Sequence, residues 1–318
     1  MMAVCRYAAL AIAPSTRRTY NAGQRCYLEF CKLQRWPALP ATDLMLSTFA
    51  AFLTSSVQPQ TIRIYLSAVR TLHTELGYSD PVERAPLLTR VLRGIDRSIG
   101  IGPVKTRLPI TISVLRKIVD ALDASCHYHP VDQAMLRAAV LTAFFGFLRC
   151  SEFTCQPPFN SRVHTTRSDI TFDHGPPVAM SLFLKRSKTD PFGKGTTVHI
   201  GSAIKPYCAV GSMLVYLLMS NHESAAPLFQ YQIGQPLTRA DFVKEVQKLL
   251  VSARLSNVTQ YSGHSFRIGA ATTAAAAGTP EWLVRAMGRW KSDAVLRYIR
   301  TEPDTLRSIA RRLGSASL

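Results

Sequence analysis

From Thr16 onward apolar residues recur at helical spacing. Tyr20, Tyr27, Phe30 and Leu33 form one stripe through RRTYNAGQRCYLEFCKLQRW, which Ser15 or Thr16 can cap and Pro37 ends. A second helix, DLMLSTFAAFLTSS, follows Pro40 and Ala41-Thr42-Asp43. A third, TIRIYLSAVRTLHTELG, opens after Gln58-Pro59 and stops at Gly77, and a fourth is ERAPLLTRVLRGIDRSIG. Short connections between these segments predict a small helical bundle over residues 15–99, after a loose tail over 1–14. Gly100, Gly102 and Pro103 then punctuate the chain, marking 100–109 as a linker.

A larger domain is expected over 110–318. TISVLRKIVDALD reads as a helix, and VDQAMLRAAVLTAFFGFL is apolar almost all round, as a buried central helix would be. The period then changes. Val178, Met180, Leu182 and Leu184 alternate along one strand, residues 196–200 form another, and the turn-rich 190–195 joins them. Residues 209–219 and 238–254 return to helix, with a loop over 221–237. The run Ala270 to Ala277 favours helix and meets a C-capping Gly278, and Pro280 suits the first turn of the next helix. A short helix is expected over 301–312. The fold class is therefore mainly α with a small β-sheet (α+β).

Charge changes the picture more than composition does. The 318 residues are 47% hydrophobic, enough for two cored domains, and 38 basic against 20 acidic residues give a net charge of +18. Such a surface suits a polyanion, nucleic acid or an anionic membrane. No apolar run approaches the ~20 residues of a membrane span, so no membrane partner is expected. The first residues, MMAVCRYAALAIAPSTRR, lack a basic front end and a full apolar core, so a signal peptide is not expected. Seven scattered cysteines imply reduced thiols in an intracellular protein. Cys126, His127 and His129 resemble half a zinc site, but no second pair with ligand spacing follows, and no metal is expected.

The candidate chemistry lies in Gly263 to Arg300. His264 and Arg267 share a helix face at i and i+3, followed by the turn Gly288-Arg289-Trp290 and by Tyr298. A tyrosine phenol, with an ordinary pKa of ~10, is a weak nucleophile unless its target is strongly activated and its proton is taken up nearby. A phosphodiester held by cationic donors is such a target, and arginine's planar, permanently charged fork suits its non-bridging oxygens. Arginine, histidine, an indole N–H and tyrosine together therefore point to phosphoryl transfer onto tyrosine. Arg149 fits the same chemistry. It ends the most apolar helix, where a charge is unfavourable unless it meets an anion, and Glu152 can orient it. Lys188 sits at the hairpin turn, free to reach into a groove.

These residues resemble the signature of the tyrosine recombinase (phage integrase) superfamily, nearest its eukaryotic mobile-element branch of Crypton, DIRS and Ngaro type. Phe147-Leu148-Arg149-Cys150-Ser151-Glu152 is similar to the family's first arginine motif, with Phe147 where glycine is more usual. Lys188, in Lys185-Arg186-Ser187-Lys188-Thr189-Asp190, is similar to its hairpin lysine. Trp290 precedes Tyr298 by eight residues, one fewer than in many bacterial members. The resemblance covers residues 106–310, and the N-terminal part only in general terms.

It implies an N-terminal core-binding bundle that clamps double-stranded DNA, joined to a tyrosine-recombinase catalytic domain. Tyr298 would form a 3′-phosphotyrosyl bond, Arg149 and Arg267 would hold the phosphate, and His264 and Trp290 would assist. Lys188 would protonate the leaving oxygen, and no cofactor would be needed. A homotetramer working through a Holliday junction, mobilising a transposable element, is the implied assembly, nuclear in a eukaryote. Arg17, Arg18, Arg63 and Arg70 in the bundle, with Lys105 and Arg107 in the linker, are the expected DNA contacts. Two rivals share the residues: a domesticated DNA-binding protein with lapsed catalysis, and a type IB topoisomerase-like enzyme.

Overall fold

The computed structural model describes residues 7, 10–99, 107–188, 190, 192–300, 307 and 311. Lys105, most of the expected tail and linker, and most of the expected helix over 301–312 lie outside these. The chain divides into two compact units, Met1–Val104 and Lys105–Leu318.

The first unit is built from α1 (Pro14–Gln34), α2 (Asp43–Leu53), α3 (Pro59–Glu75) and α4 (Pro86–Ile99). Helix α1 starts at Pro14, so Ser15 and Thr16 fall inside its first turn rather than capping it. It ends where Arg35 takes a left-handed conformation and returns its N–H to the last carbonyls. Tyr27, Phe30, Leu46, Phe49, Ile62, Leu66 and Leu88 make the core. Leu33, expected in the stripe, is 73% exposed because the buried face runs through Gly23, Tyr27, Phe30 and Cys31 and Leu33 lies off it. Thr42 caps its own helix by accepting from Met45 N–H at 3.2 Å. Asp43 caps a different one: its carboxylate accepts from Leu87 and Leu88 N–H, both at 2.8 Å, at the start of α4.

The named arginines divide by partner. Arg17 pairs with Glu75, Arg63 with Asp96 and Arg70 with Asp80, each at 2.5 Å. Arg18 is exposed. On α4, Arg90, Arg93 and Arg97 are exposed at i, i+3 and i+7, opposite buried Leu88 and Ile95.

The second unit packs one face of α5 (Ile112–Asp123) against a central α6 (Pro130–Phe145), with a three-stranded antiparallel sheet of order β1 (Ile170–Phe172), β2 (Ala179–Leu184) and β3 (Thr196–Gly201). Helix α6 is buried on nearly every side, as its composition requires. Met180, Leu182 and Leu184 face the core as the alternation predicts, whereas Val178 lies before the strand and is 63% exposed. Strand β1, too short to show a period, pairs Ile170 with Leu182. Asp190 holds the β2–β3 turn by accepting from Gly195 N–H at 2.8 Å and Lys194 N–H at 3.2 Å. Then come α7 (Cys150–Phe153), which precedes the sheet in the chain, and after the sheet α8 (Ala209–Met219), α9 (Arg239–Ser252), α10 (Ser265–Ala276) and α11 (Glu281–Met287). Gly269 lets α10 press on the segment before α5: a Cβ there would lie 1.7 Å from the Ile110 carbonyl oxygen. No described helix is long and apolar enough to cross a membrane.

Asp43→Ala removes the only side chain seen to accept from the first N–H groups of α4. It should cost about 1–2 kcal/mol by urea unfolding of the whole chain, while Asp43→Asn, which can still cap, should cost a few tenths at most.

Candidate active site

The site forms where α6 ends. Gly146 closes the helix, and Phe147 then takes a left-handed φ of 49°. A β-carbon is unwelcome in that conformation, which accounts physically for glycine being usual there. The turn sends Arg149 back as the N-cap of the short α7. Glu152 completes a capping box: one oxygen accepts from Arg149 N–H at 2.9 Å and the other from Arg149 Nη1 at 2.8 Å. Glu152 is almost wholly buried, so both its oxygens are committed inside the protein.

Arg267 enters from the first turn of α10 and is 0% exposed. Its Nη1 donates to the Phe147 carbonyl at 2.6 Å, and its Nη2 donates to the Gly288 carbonyl. Its guanidinium lies 4.3 Å from the Trp290 ring centre and 5.8 Å from that of Tyr298. Trp290 and Tyr298 are themselves 5.0 Å apart, and Phe147 meets Trp290 edge-on at 6.3 Å. Gly288 makes this possible: a Cβ there would lie 1.6 Å from the indole. Tyr298 follows a short turn of 3-10 helix, Asp293–Arg297. Thr272 of α10 secures it, donating to the Tyr298 carbonyl at 3.3 Å and accepting from Arg300 N–H at 3.1 Å.

His264 sits at the N-cap of α10. Burial pushes its imidazole down to about 4, reinforced by the charges of Arg107, Arg239, Arg149 and Arg267. It is therefore neutral at physiological pH. Burial and the neighbouring Arg149 also push Arg267 down to about 9, which leaves it a cation. Lys188 is exposed in the turn after β2, and no described hydrogen bond or ion pair ties it to this cluster. Lys185, three residues earlier, is held by Asp169 at 2.6 Å and Thr166 at 2.9 Å. Arg107 is exposed at the edge of the site, on a segment whose Leu108 N–H donates to the Gln260 carbonyl at 3.2 Å.

The structure thus brings Arg149, Glu152, His264, Arg267, Trp290 and Tyr298 to one place, and adds a residue that sequence reasoning passed over. Arg289 donates from Nη2 to Glu152 at 2.7 Å and from Nη1 to the Gly146 carbonyl at 3.1 Å. The signal was present: Arg289, not Trp290, precedes Tyr298 by nine residues. Seven buried side-chain nitrogens or oxygens lack a partner among the described residues, and four belong to this cluster: His264 Nδ1, Arg267 Nε, Arg289 Nε and Trp290 Nε1. Buried polar atoms are nearly always paired, so four together mark a place built to receive acceptor oxygens.

No family model matches the chain. Over 300 residues it is 22% identical to an integrase/recombinase xerD homolog of Selenomonas ruminantium, spanning 90% of this chain and 82% of that protein. The XerH site-specific recombinase, solved bound to a palindromic difH substrate after cleavage, superposes with a TM-score of 0.65 at 17% identity, over 92% of this chain and 78% of that one. In fold the chain is similar to solved recombinases and integrases. The Tn1549 transposon integrase, solved with circular intermediate DNA, has a TM-score of 0.58 at 14% identity, over 94% of each chain. A lambda integrase dimer bound to a core site has a TM-score of 0.58 at 14% identity, over 91% of this chain and 72% of that one. The tyrosine-recombinase fold accounts for both the helical first unit and the mixed second unit with its small sheet.

The site makes stability depend on pH in a stated direction. An unfolded imidazole titrates near 6.5, and His264 in the fold near 4. Between these values the unfolded chain binds the extra proton, so stability should fall as pH drops through that window. Denaturant melts at successive pH values should show this loss in the wild type and a flatter curve in His264→Asn.

Proposed function

We propose that the chain is a site-specific DNA recombinase that cuts and rejoins strands through a 3′-phosphotyrosyl intermediate, mobilising a transposable element of the eukaryotic Crypton, DIRS and Ngaro type. The observation that carries the reading is the convergence of Tyr298 and Trp290 on fully buried Arg267, beside Arg149 and Glu152, with buried donors unpaired. In the proposed step a bond forms from Tyr298 Oη to phosphorus and the bond from phosphorus to the 5′-oxygen breaks. The phenol gives up one proton and the leaving 5′-oxygen gains one, so atoms and charge balance without cofactor or metal.

Neutral His264 can take up a proton or donate one from its ring. Lys188, exposed on its turn, is the proposed acid for the 5′-oxygen. Arg149 and Arg267 lower the barrier by meeting charge as it develops on the non-bridging oxygens. The relatives solved with DNA support double-stranded DNA as the partner. A homotetramer is the proposed assembly for strand exchange, with the basic residues of the first unit gripping the duplex.

Capture tests the reading directly. A pool of duplexes with randomised cores, each nicked to release a short 5′-hydroxyl fragment, is incubated with the protein and denatured. The wild type should leave a protease-sensitive protein–DNA adduct, in excess chelator as well as without it. Tyr298→Phe should bind DNA equally and leave none. Peptide mapping of the adduct to another tyrosine would overturn the assignment, and binding without any adduct would favour the domesticated binder. Exchange between two marked duplexes distinguishes recombination from topoisomerase-like relaxation.

A further inference from the structure

The residue between Gly288 and Trp290 is the least expected part of the site. Arg289 is largely buried, with its side chain 15% exposed, yet it holds a left-handed φ of 56°. For a residue other than glycine or asparagine that conformation costs about 1–2 kcal/mol, and such strain persists where surrounding contacts fix it, commonly at functional sites. The contact here is Glu152. The same carboxylate serves the guanidinium of Arg149 through one oxygen and that of Arg289 through the other. Burial pulls the Arg289 guanidinium below its ordinary range, and Glu152 opposes that pull.

Charge says what the arrangement is for. Arg149, Arg267 and Arg289 bring three buried or nearly buried cations together, and among the described residues Glu152 is the one carboxylate in ion-pair contact with any of them. Among these three, two positive charges therefore stand without a carboxylate in a low-dielectric site, with Arg107 and Arg239 adding to the same field, an unfavourable state unless an anion answers them. A phosphodiester in its ground state carries one negative charge. The five-coordinate phosphorus reached when a tyrosinate attacks carries two. An excess of cations over carboxylates answers the doubly charged transition state more fully than the singly charged substrate, which is the condition for catalysis.

Trp290 divides the labour differently. Its indole N–H is also without a partner, but its ring is held in place, with Arg267 and Tyr298 against it and Gly288 beneath it. Arg289 keeps a buried Nε–H without a partner and makes a single-point contact to Glu152. We propose that Arg289 is a third catalytic arginine, contacting a non-bridging oxygen of the scissile phosphate, and that Trp290 serves as the wall that fixes Arg267 and Tyr298. This assignment rests on the recombinase reading above.

The test uses the full chain and the duplex recovered by the covalent capture, made with either a phosphodiester or a neutral methylphosphonate at the scissile position. On the phosphodiester, Arg289→Met should bind DNA as the wild type does, while the rate of adduct formation falls about 10²–10³-fold. On the methylphosphonate, which lacks the charge Arg289 would answer, the deficit should shrink to about tenfold or less. Arg289→Lys should recover part of the phosphodiester rate, and Trp290→Phe should lose less than Arg289→Met. Thermal melts of the free proteins verify folding, and the lysine variant keeps the test valid should the methionine variant be unstable. An equal deficit on both substrates, or a larger loss in Trp290→Phe, would overturn the assignment and leave Arg289 a scaffold for Glu152. No adduct from the wild type on any duplex would overturn the recombinase reading itself, and this inference with it.

Discussion

A guanidinium with no exposure is the constraint around which the second unit is arranged. Arg267 cannot be buried without acceptors, and the acceptors it finds are two backbone carbonyls, those of Phe147 and Gly288. Each carbonyl sits in a turn that ends a helix, and each turn leads directly to another arginine: Arg149 two residues beyond Phe147, Arg289 one residue beyond Gly288. One side chain therefore sets the positions of two others through the backbone, before either makes a contact of its own. Glu152 then joins that second pair from the other side. A backbone carbonyl cannot titrate or change rotamer, which makes it a firmer anchor than a side-chain partner would be.

The same arrangement is poor as a stability device. Like charges lie close, four buried nitrogens lack partners, and two bulky residues, Phe147 and Arg289, hold positive φ. The surroundings supply what the site lacks. A continuous apolar core runs from α5 and α6 through the sheet to Phe266, Ala270, Trp290 and Val295. Helix α10 belongs to both regions: its Phe266 and Ala270 are core, while Arg267 and Thr272 address the arginine cluster and the tyrosine segment. Under the recombinase reading such strain is expected of a site complementary to a doubly charged state, because donors placed to meet it cannot also pair with each other.

Most of this was legible in the sequence, and the reasons it was legible are physical. The central helix α6 showed itself because burial on all sides leaves no polar face to break the apolar run. The charge at its end stood out against that run, so Arg149 and Glu152 were readable as a pair. His264, Arg267 and Tyr298 were readable from spacing. Arg289 was passed over because an arginine beside a tryptophan reads as solvated surface, and nothing in the letters announces a left-handed backbone at a residue that disfavours it. Phe147 hides the turn before Arg149 in the same way. Strand β1, at Ile170–Phe172, is shorter than one full alternation and depends on β2 for its existence, so no local pattern could disclose it.

The first unit shows where sequence reading reaches its limit for DNA contacts. Counting cations cannot say which are available, and the paired ones are Arg17, Arg63 and Arg70. Under the recombinase reading, each of these would exchange a carboxylate for a phosphate on binding DNA. Such an exchange returns a carboxylate to solvent, so its net gain is smaller than for a cation that starts with only water and counterions around it. Arg90, Arg93 and Arg97 start that way among the described residues, aligned on the outer face of α4. Each would displace condensed counterions from the duplex at full yield, about 0.9 per phosphate, with no internal ion pair to break. Under that reading the face of α4, held in place by Asp43 at its first turn, is thus better suited to grip a duplex than the paired Arg17, Arg63 and Arg70.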